Sequence, residues 1–367
     1  MAVQRRAPVL LLVVLLAAVP MAGCTGLGSA TTNGYGEGAW TLHMIQADTL
    51  HNAGLSGKGI KVAIIDTGID LNHDEFRGVQ IEWADLVNNQ KTAYDDNGHG
   101  SHVAGIVAAQ GTWKTVFNGY RLKGVSPGVS LIVIKAIDAS GHGDESRVAQ
   151  GVTTAVSAGA NVIVLSLGGD TRAIFGTNTE GAVKQAISQG VFVVAAAGNV
   201  DKDSGETSCT VTSPASVDGV IAVGAVARNE SIASFSCHGT GSTGGGGSLP
   251  IGGLRNPSPG TPSQDPDKKP EVVAPGVDIT SAWKDGGYAI AQGTSQAAPM
   301  VGGILALMLE KHPELKNRNA ATVERVKGAL EASSKKIGPL AGQGATAHDD
   351  SYGYGLVQGD ALMRALG

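Results

Sequence analysis

The chain has 367 residues, of which 42% are hydrophobic, 4% aromatic and 16% charged, with a net charge of -5. That length holds one large α/β domain with accessory segments, and the hydrophobic share permits a substantial core. The balance is mildly acidic with no basic block, which excludes a nucleic-acid partner, and the 54 glycines imply many tight turns.

Residues 1–23 read as an export signal. Arg5 and Arg6 precede the apolar stretch from Val9 to Val19, and Pro20 and Met21-Ala22-Gly23 follow it. This is a charged start, an apolar run too short to span a bilayer as a mature helix, and a small-residue cleavage site. Cys24 then resembles the cysteine of a bacterial lipobox, with Met21 where leucine is more usual. The resemblance implies cleavage before Cys24, lipidation of its thiol and a membrane anchor in the cell envelope. Plain secretion and an uncleaved anchor are the alternatives, and both also leave the chain outside the cytoplasm. Residues 24–39, rich in Gly, Ser and Thr, read as a flexible tether.

Residues 40–367 carry the fold. Short Val/Ile/Ala runs at Lys61–Asp66, Ser130–Ala136, Asn161–Leu167, Val191–Ala197 and Val220–Val226 read as buried strands. Between and after them, His99–Gln110, Glu145–Ala158, Glu180–Ser188, Met300–Lys311 and Ala320–Ser334 read as helices. Continuous apolar strands separated by helices predict an α/β fold with a mainly parallel central sheet and helices on both faces. One stretch departs from this pattern. Residues 238–270 are rich in Gly, Ser and Pro and nearly devoid of apolar residues, and read as a long surface loop: a cleft lid, a surface for a docking partner, or an inert insertion. Export places Cys209 and Cys237 in an oxidising compartment, where a disulfide closing 28 residues contributes about 3 kcal/mol; two free thiols are the alternative.

The candidate chemistry follows the same order. Asp66 ends the first strand, and functional carboxylates in open α/β sheets emerge at carboxyl strand ends. His99 and His102 stand three apart in Asn97-Gly98-His99-Gly100-Ser101-His102, but with no Glu between them and no third ligand cluster they predict no metal site. His99 instead reads as a general base and His102 as its packed neighbour. Asn199, after the strand and Gly198, can donate its amide to an oxyanion. Gly293-Thr294-Ser295-Gln296-Ala297-Ala298-Pro299 puts a serine at the head of an apolar helix, among first-turn N–H groups that favour developing negative charge. Pro299 is expected in that first turn, where its missing N–H is no loss. Asp66, His99, Asn199 and Ser295 thereby fill every role of a hydrolytic serine site, although spacing alone does not bring them together.

The five segments around Asp66, His99, Ser166, Asn199 and Ser295 resemble the subtilisin-like serine proteases, and in that family's order of Asp, His, Ser. Val273-Ala274-Pro275-Gly276 and Tyr352-Gly353-Tyr354-Gly355 extend the likeness from about Trp40 to the end. The resemblance implies a three-layer sandwich and peptide-bond hydrolysis through an acyl-enzyme, without a catalytic cofactor. It implies that an extended polypeptide substrate pairs with Ser166, Leu167 and Gly168 on one side and with Gly141 and Gly143 on the other. It implies a specificity pocket lined by Ala196, Ala197 and Gly198, with Cys209 and Cys237 close by. A silent peptide-binding module on this fold, or a transpeptidase or cyclase, uses the same positions and remains an alternative reading.

Five departures from the family pattern stand out. Ser101 replaces a usual Thr and Gln296 a common Met, neither on the proton path. Residues 111–124 are longer than usual where relatives form a calcium loop, and Glu75 takes the place of a calcium-binding Asp, so structural calcium has no clear ligand loop. Only the 15 residues 25–39 lie between Cys24 and the domain's apparent start, where secreted relatives carry a folding pro-domain. The domain is therefore expected to fold unaided or with a partner.

Overall fold

Parallel strands buried on both faces must be apolar along their whole length, and that is how the inner strands of this sheet are built. The computed structural model describes residues 39–112, 122–167, 177–200, 206–239 and 268–367. Cys24 with the rest of the signal and tether, Gly168, and most of the 238–270 stretch lie outside the described residues. The central sheet comprises β1 (Lys61–Asp66), β2 (Ile81–Asp85), β3 (Ser130–Lys135), β4 (Val162–Leu165), β5 (Phe192–Ala196), β6 (Ile221–Val226) and β7 (Val272–Pro275). All pairings are parallel, in the order β2-β3-β1-β4-β5-β6-β7. A separate antiparallel hairpin joins β8 (Ile279–Ala282) to β9 (Tyr288–Ala291).

Register and glycines show how helices cover both faces. Ile64 pairs with Val164, so the two side chains share one face, and Ile65 points to the other. Helix α6 (Thr294–Lys311) lies on the first face, where a Cβ on Gly302 would come within 2.6 Å of Val164. Helix α4 (Glu145–Ser157) lies on the second, where a Cβ on Gly151 would come within 2.9 Å of Ile65. Glycine at these two places lets helix and sheet backbones approach. Helix α3 (His99–Ala108) packs beside α6, and α5 (Thr177–Ser188) beside α4. The result is a three-layer α/β/α sandwich. Among the described residues no helix is long and apolar enough to cross a membrane.

All five expected strands are present, four of them trimmed at one or both ends. The expected helices, the last of them α7 (Ala320–Ser333), are present too, with one extended by a full turn and more: α6 starts at Thr294, not Met300. Pro299 consequently lies inside the helix, beyond the first turn, and the missing N–H leaves the Ser295 carbonyl without its i+4 donor. The Ser166 hydroxyl takes that place, donating to Ser295 O at 2.9 Å. Sequence reading did not mark β2, β7, the β8–β9 hairpin or the short helices α1 (Trp40–Met44), α2 (Ala47–Asn52) and α8 (Gly359–Leu366). β2 is an edge strand carrying Glu82 on an exposed position, and β7 to β9 have only four residues each, too short for a periodic signal.

At the amino end of the sheet sits a buried ionic cluster that the sequence did not announce. Glu271 Oε1 accepts from Lys269 Nζ and Lys327 Nζ, both at 2.7 Å, and Oε2 accepts from Ala222 N. Burial alone would raise the carboxyl's pKa, but the two ammonium charges outweigh it and hold it below the ordinary carboxylate range. Glu271→Gln is therefore expected to take from two buried ammonium groups the one carboxylate that bonds them both, leaving only the charges of Asp218, Glu324 and Glu331 around them. Breaking such a site from one side costs about 3–5 kcal/mol, to be read as a lower urea midpoint at unchanged slope. An unshifted midpoint would show that the cluster contributes nothing to stability.

Candidate active site

Three strand ends and two helix starts meet at the carboxyl edge of the sheet. Asp66 closes β1 and is 1% exposed, and the first residue of α3 is His99, 5% exposed. His99 Nδ1 and Asp66 Oδ1 are 2.8 Å apart, and Thr67 N also donates to that oxygen. Burial alone would lower the imidazole's pKa. The Asp66 charge and hydrogen bond, with a further contribution from Asp95, outweigh it and raise the pKa above its ordinary value. His99 Nε2 is buried and has no hydrogen-bond partner. A carboxylate on one ring nitrogen and an open second nitrogen are what a proton-accepting imidazole requires.

The turn into α3 is tightly specified. Gly98 has φ 111°, and a Cβ there would lie 2.4 Å from the Trp283 ring; a Cβ on Gly100 would lie 2.1 Å from Gly68 O. Helix α3 is thereby pressed against the end of β1. His102, on the next turn, is buried with Nε2 at 3.1 Å from Ile279 O, and its ring meets Trp283 edge-on. Burial, then the neighbouring His99, push its pKa down to about 3, so it stays neutral. Among the described residues no group of three or more His, Cys, Asp or Glu side chains is placed to hold a metal. Glu75 is buried and accepts instead from Gly111 N, Thr112 N and the Tyr288 hydroxyl.

Ser295 is the second residue of α6 and partly exposed. Its hydroxyl donates to Ser166 O at 3.0 Å, not to His99. In this arrangement the Ser166 carbonyl is the hydroxyl's acceptor and His99 Nε2 receives no bond. Asn199 stands exposed beyond β5 with its side chain oriented by the start of α6: Oδ1 accepts from Thr294 N at 2.9 Å and from Thr294 Oγ1 at 3.2 Å. With its oxygen so engaged, the amide NH2 is left to donate, 3.4 Å from where a Cβ of Gly293 would be.

The candidate cleft residues fall around this point. Leu167, Ala196 and Ala197 are buried at the ends of β4 and β5. Gly198 has φ 108°, and a Cβ on it would lie 2.9 Å from Cys237 Sγ. Cys237 is disulfide-bonded to Cys209, and Cys237 N donates to Gly198 O at 3.0 Å, so the bridge braces the residue before Asn199. Gly141, at φ 82°, and Gly143, where a Cβ would lie 2.3 Å from Ile137, both belong to the loop after β3. The sequence reading missed Asp95, Thr67 and Thr294, which hold the site together. Only the position of Asp95 just ahead of Asn97-Gly98-His99 could have flagged it.

A parallel sheet that carries a buried carboxylate–imidazole pair and a helix-borne serine to one edge is the architecture of a serine hydrolase. Residues 57–355 match the sequence profile of the Subtilase family. Subtilisin Savinase of Lederbergia lenta is 34% identical over 326 residues, covering 89% of this chain and 98% of that protein. M-protease of Shouchella clausii (strain KSM-K16) is 34% identical over 326 residues, covering 89% of this chain and 70% of that protein. Subtilisin E of Bacillus subtilis (strain 168) is 35% identical over 326 residues, covering 88% of this chain and 70% of that protein. The chain belongs to the subtilase family and is a serine endopeptidase, whose catalysis needs no cofactor.

Proposed function

We propose that Ser295 is the nucleophile for peptide-bond hydrolysis, with His99, Asp66 and Asn199 in supporting roles. His99 Nε2 takes the hydroxyl proton as Ser295 Oγ attacks the carbonyl carbon, and returns it to the leaving amine. Asp66 fixes the imidazole tautomer and stabilises the imidazolium, while the Asn199 amide and Ser295 N–H stabilise the oxyanion. Water then attacks the acyl-enzyme with His99 again as base. The observation that carries this reading is the buried Asp66–His99 pair with Nε2 open. An extended polypeptide would run between Ser166-Leu167-Gly168 and the Gly141–Gly143 loop, its primary side chain against Ala196, Ala197 and Gly198. Substrate entry at Ser166 would displace the Ser295 hydroxyl from the Ser166 carbonyl.

The same proposal makes the chain an exported lipoprotein, attached to a membrane through Cys24, with residues 24–39 as spacer and the 238–270 stretch as a docking surface. It rests on the charged start, the apolar run and the small residues before Cys24. The detergent-solubilised protein is expected to react with a fluorophosphonate in the wild type and not in Ser295→Ala. Equal labelling of both would remove Ser295 from the nucleophile role.

A further inference from the structure

Asp95 is buried, and its single carboxylate accepts five hydrogen bonds. Oδ1 takes Thr67 Oγ1 at 2.9 Å, Asn97 N at 3.1 Å and Gly98 N at 2.8 Å. Oδ2 takes Ser101 N at 2.8 Å and Ser101 Oγ at 2.7 Å. The donors come from both sides of the Asp66–His99 pair. Thr67 follows Asp66 directly and accepts from Gly100 N at 2.8 Å. Asn97 and Gly98 lead into His99, and Ser101 lies one turn-fraction beyond it, accepting from Asp70 N. We infer that Asp95 is a positioning residue for proton transfer: one charged group ties the strand end bearing Asp66 to the helix start bearing His99.

Charge-assisted bonds of this kind are stronger than neutral ones, and several from one buried acceptor fix relative position rather than local shape. Asparagine cannot replace it: its NH2 would face either the Gly98 and Asn97 donors or those of Ser101. Asp95 also acts on His99 through its charge. The charged or titratable groups around His99 are Asp66 at the end of β1, Asp95 before α3 and His102 on α3, with Lys135 at the end of β3 bound to Thr67 O and Asp96. His102 stays neutral, so Asp95 is the second negative charge that favours the imidazolium. A base must be neutral to act, so activity falls as pH drops through the His99 pKa. Removing the Asp95 charge lowers that pKa and moves the acid limb to lower pH.

This inference rests on His99 being the base, and the test separates the two. In the full-length protein, kcat and KM for a chromogenic peptide are measured against pH for wild type, Asp95→Asn, Thr67→Val and His99→Ala. Asp95→Asn is expected to lose about 10- to 100-fold in kcat, the scale of a small misplacement of reacting groups, with KM little changed. Its acid limb should also move to lower pH. Thr67→Val, which keeps the Asp95 charge, should lose kcat less and leave the acid limb in place. A folded Asp95→Asn with wild-type kcat and limb would overturn the inference alone. If Asp95→Asn does not fold, an unimpaired kcat in Thr67→Val overturns it. Full activity in His99→Ala would sink the base assignment and this inference with it.

Discussion

Ser295→Ala and His99→Ala should each abolish nearly all turnover, and the double variant should be little worse than either. The expected loss is about 10^6-fold in kcat, a magnitude taken over from subtilisin itself rather than calculated from this geometry. The argument for non-additivity is structural. His99 lies on α3 and Ser295 on α6, and neither side chain has another assigned role in the reaction; the Ser295 N–H proposed for the oxyanion survives in Ser295→Ala. Without the hydroxyl there is no proton for the imidazole to take, and without the imidazole the hydroxyl stays a weak nucleophile. What survives is the contribution of substrate binding and the oxyanion donors. Steady-state kinetics on a peptide ester and a peptide amide would check this. Losses that add across the double variant would mean that the two side chains act in separate steps.

The residues of this site were legible because each stands where the chain changes structure. Asp66 ends an apolar strand, His99 follows a glycine into a helix, Asn199 follows a strand and a glycine, and Ser295 opens a helix. Such boundaries show in a single sequence as an abrupt end of apolar periodicity next to glycine. What holds the four together was not legible, because it consists of contacts between distant segments. Asp95 looks like any loop aspartate, and only its buried bonds to Thr67 and Ser101 distinguish it. Thr294 looks like a helix cap, yet it orients Asn199, 95 residues away. Pro299 misled for a related reason. Its place in the helix depends on where the helix starts, and the donor that compensates for it comes from Ser166, on another strand end.

The same cross-chain contacts set the terms of the second large effect, at Asn199. Asn199→Ala should lower kcat by about 10^2–10^3-fold, again the scale known for the equivalent donor in subtilisin. KM should change little, because a donor aimed at an oxyanion strengthens its interaction only as that charge develops. Alanine also removes the acceptor for Thr294 N, so part of the loss could arise from a loosened start of α6. Asn199→Asp separates the two contributions. It keeps a carboxylate oxygen for Thr294 N and Oγ1, preserving the helix start, but replaces the donating NH2 by an acceptor bearing negative charge. If donation is what matters, Asp must be at least as damaging as Ala despite its better-held helix. If orientation of α6 is what matters, Asp should recover most of the wild-type kcat. Michaelis parameters for the three proteins at one pH decide between them, and a loss carried mainly by KM would place Asn199 in ground-state substrate binding instead.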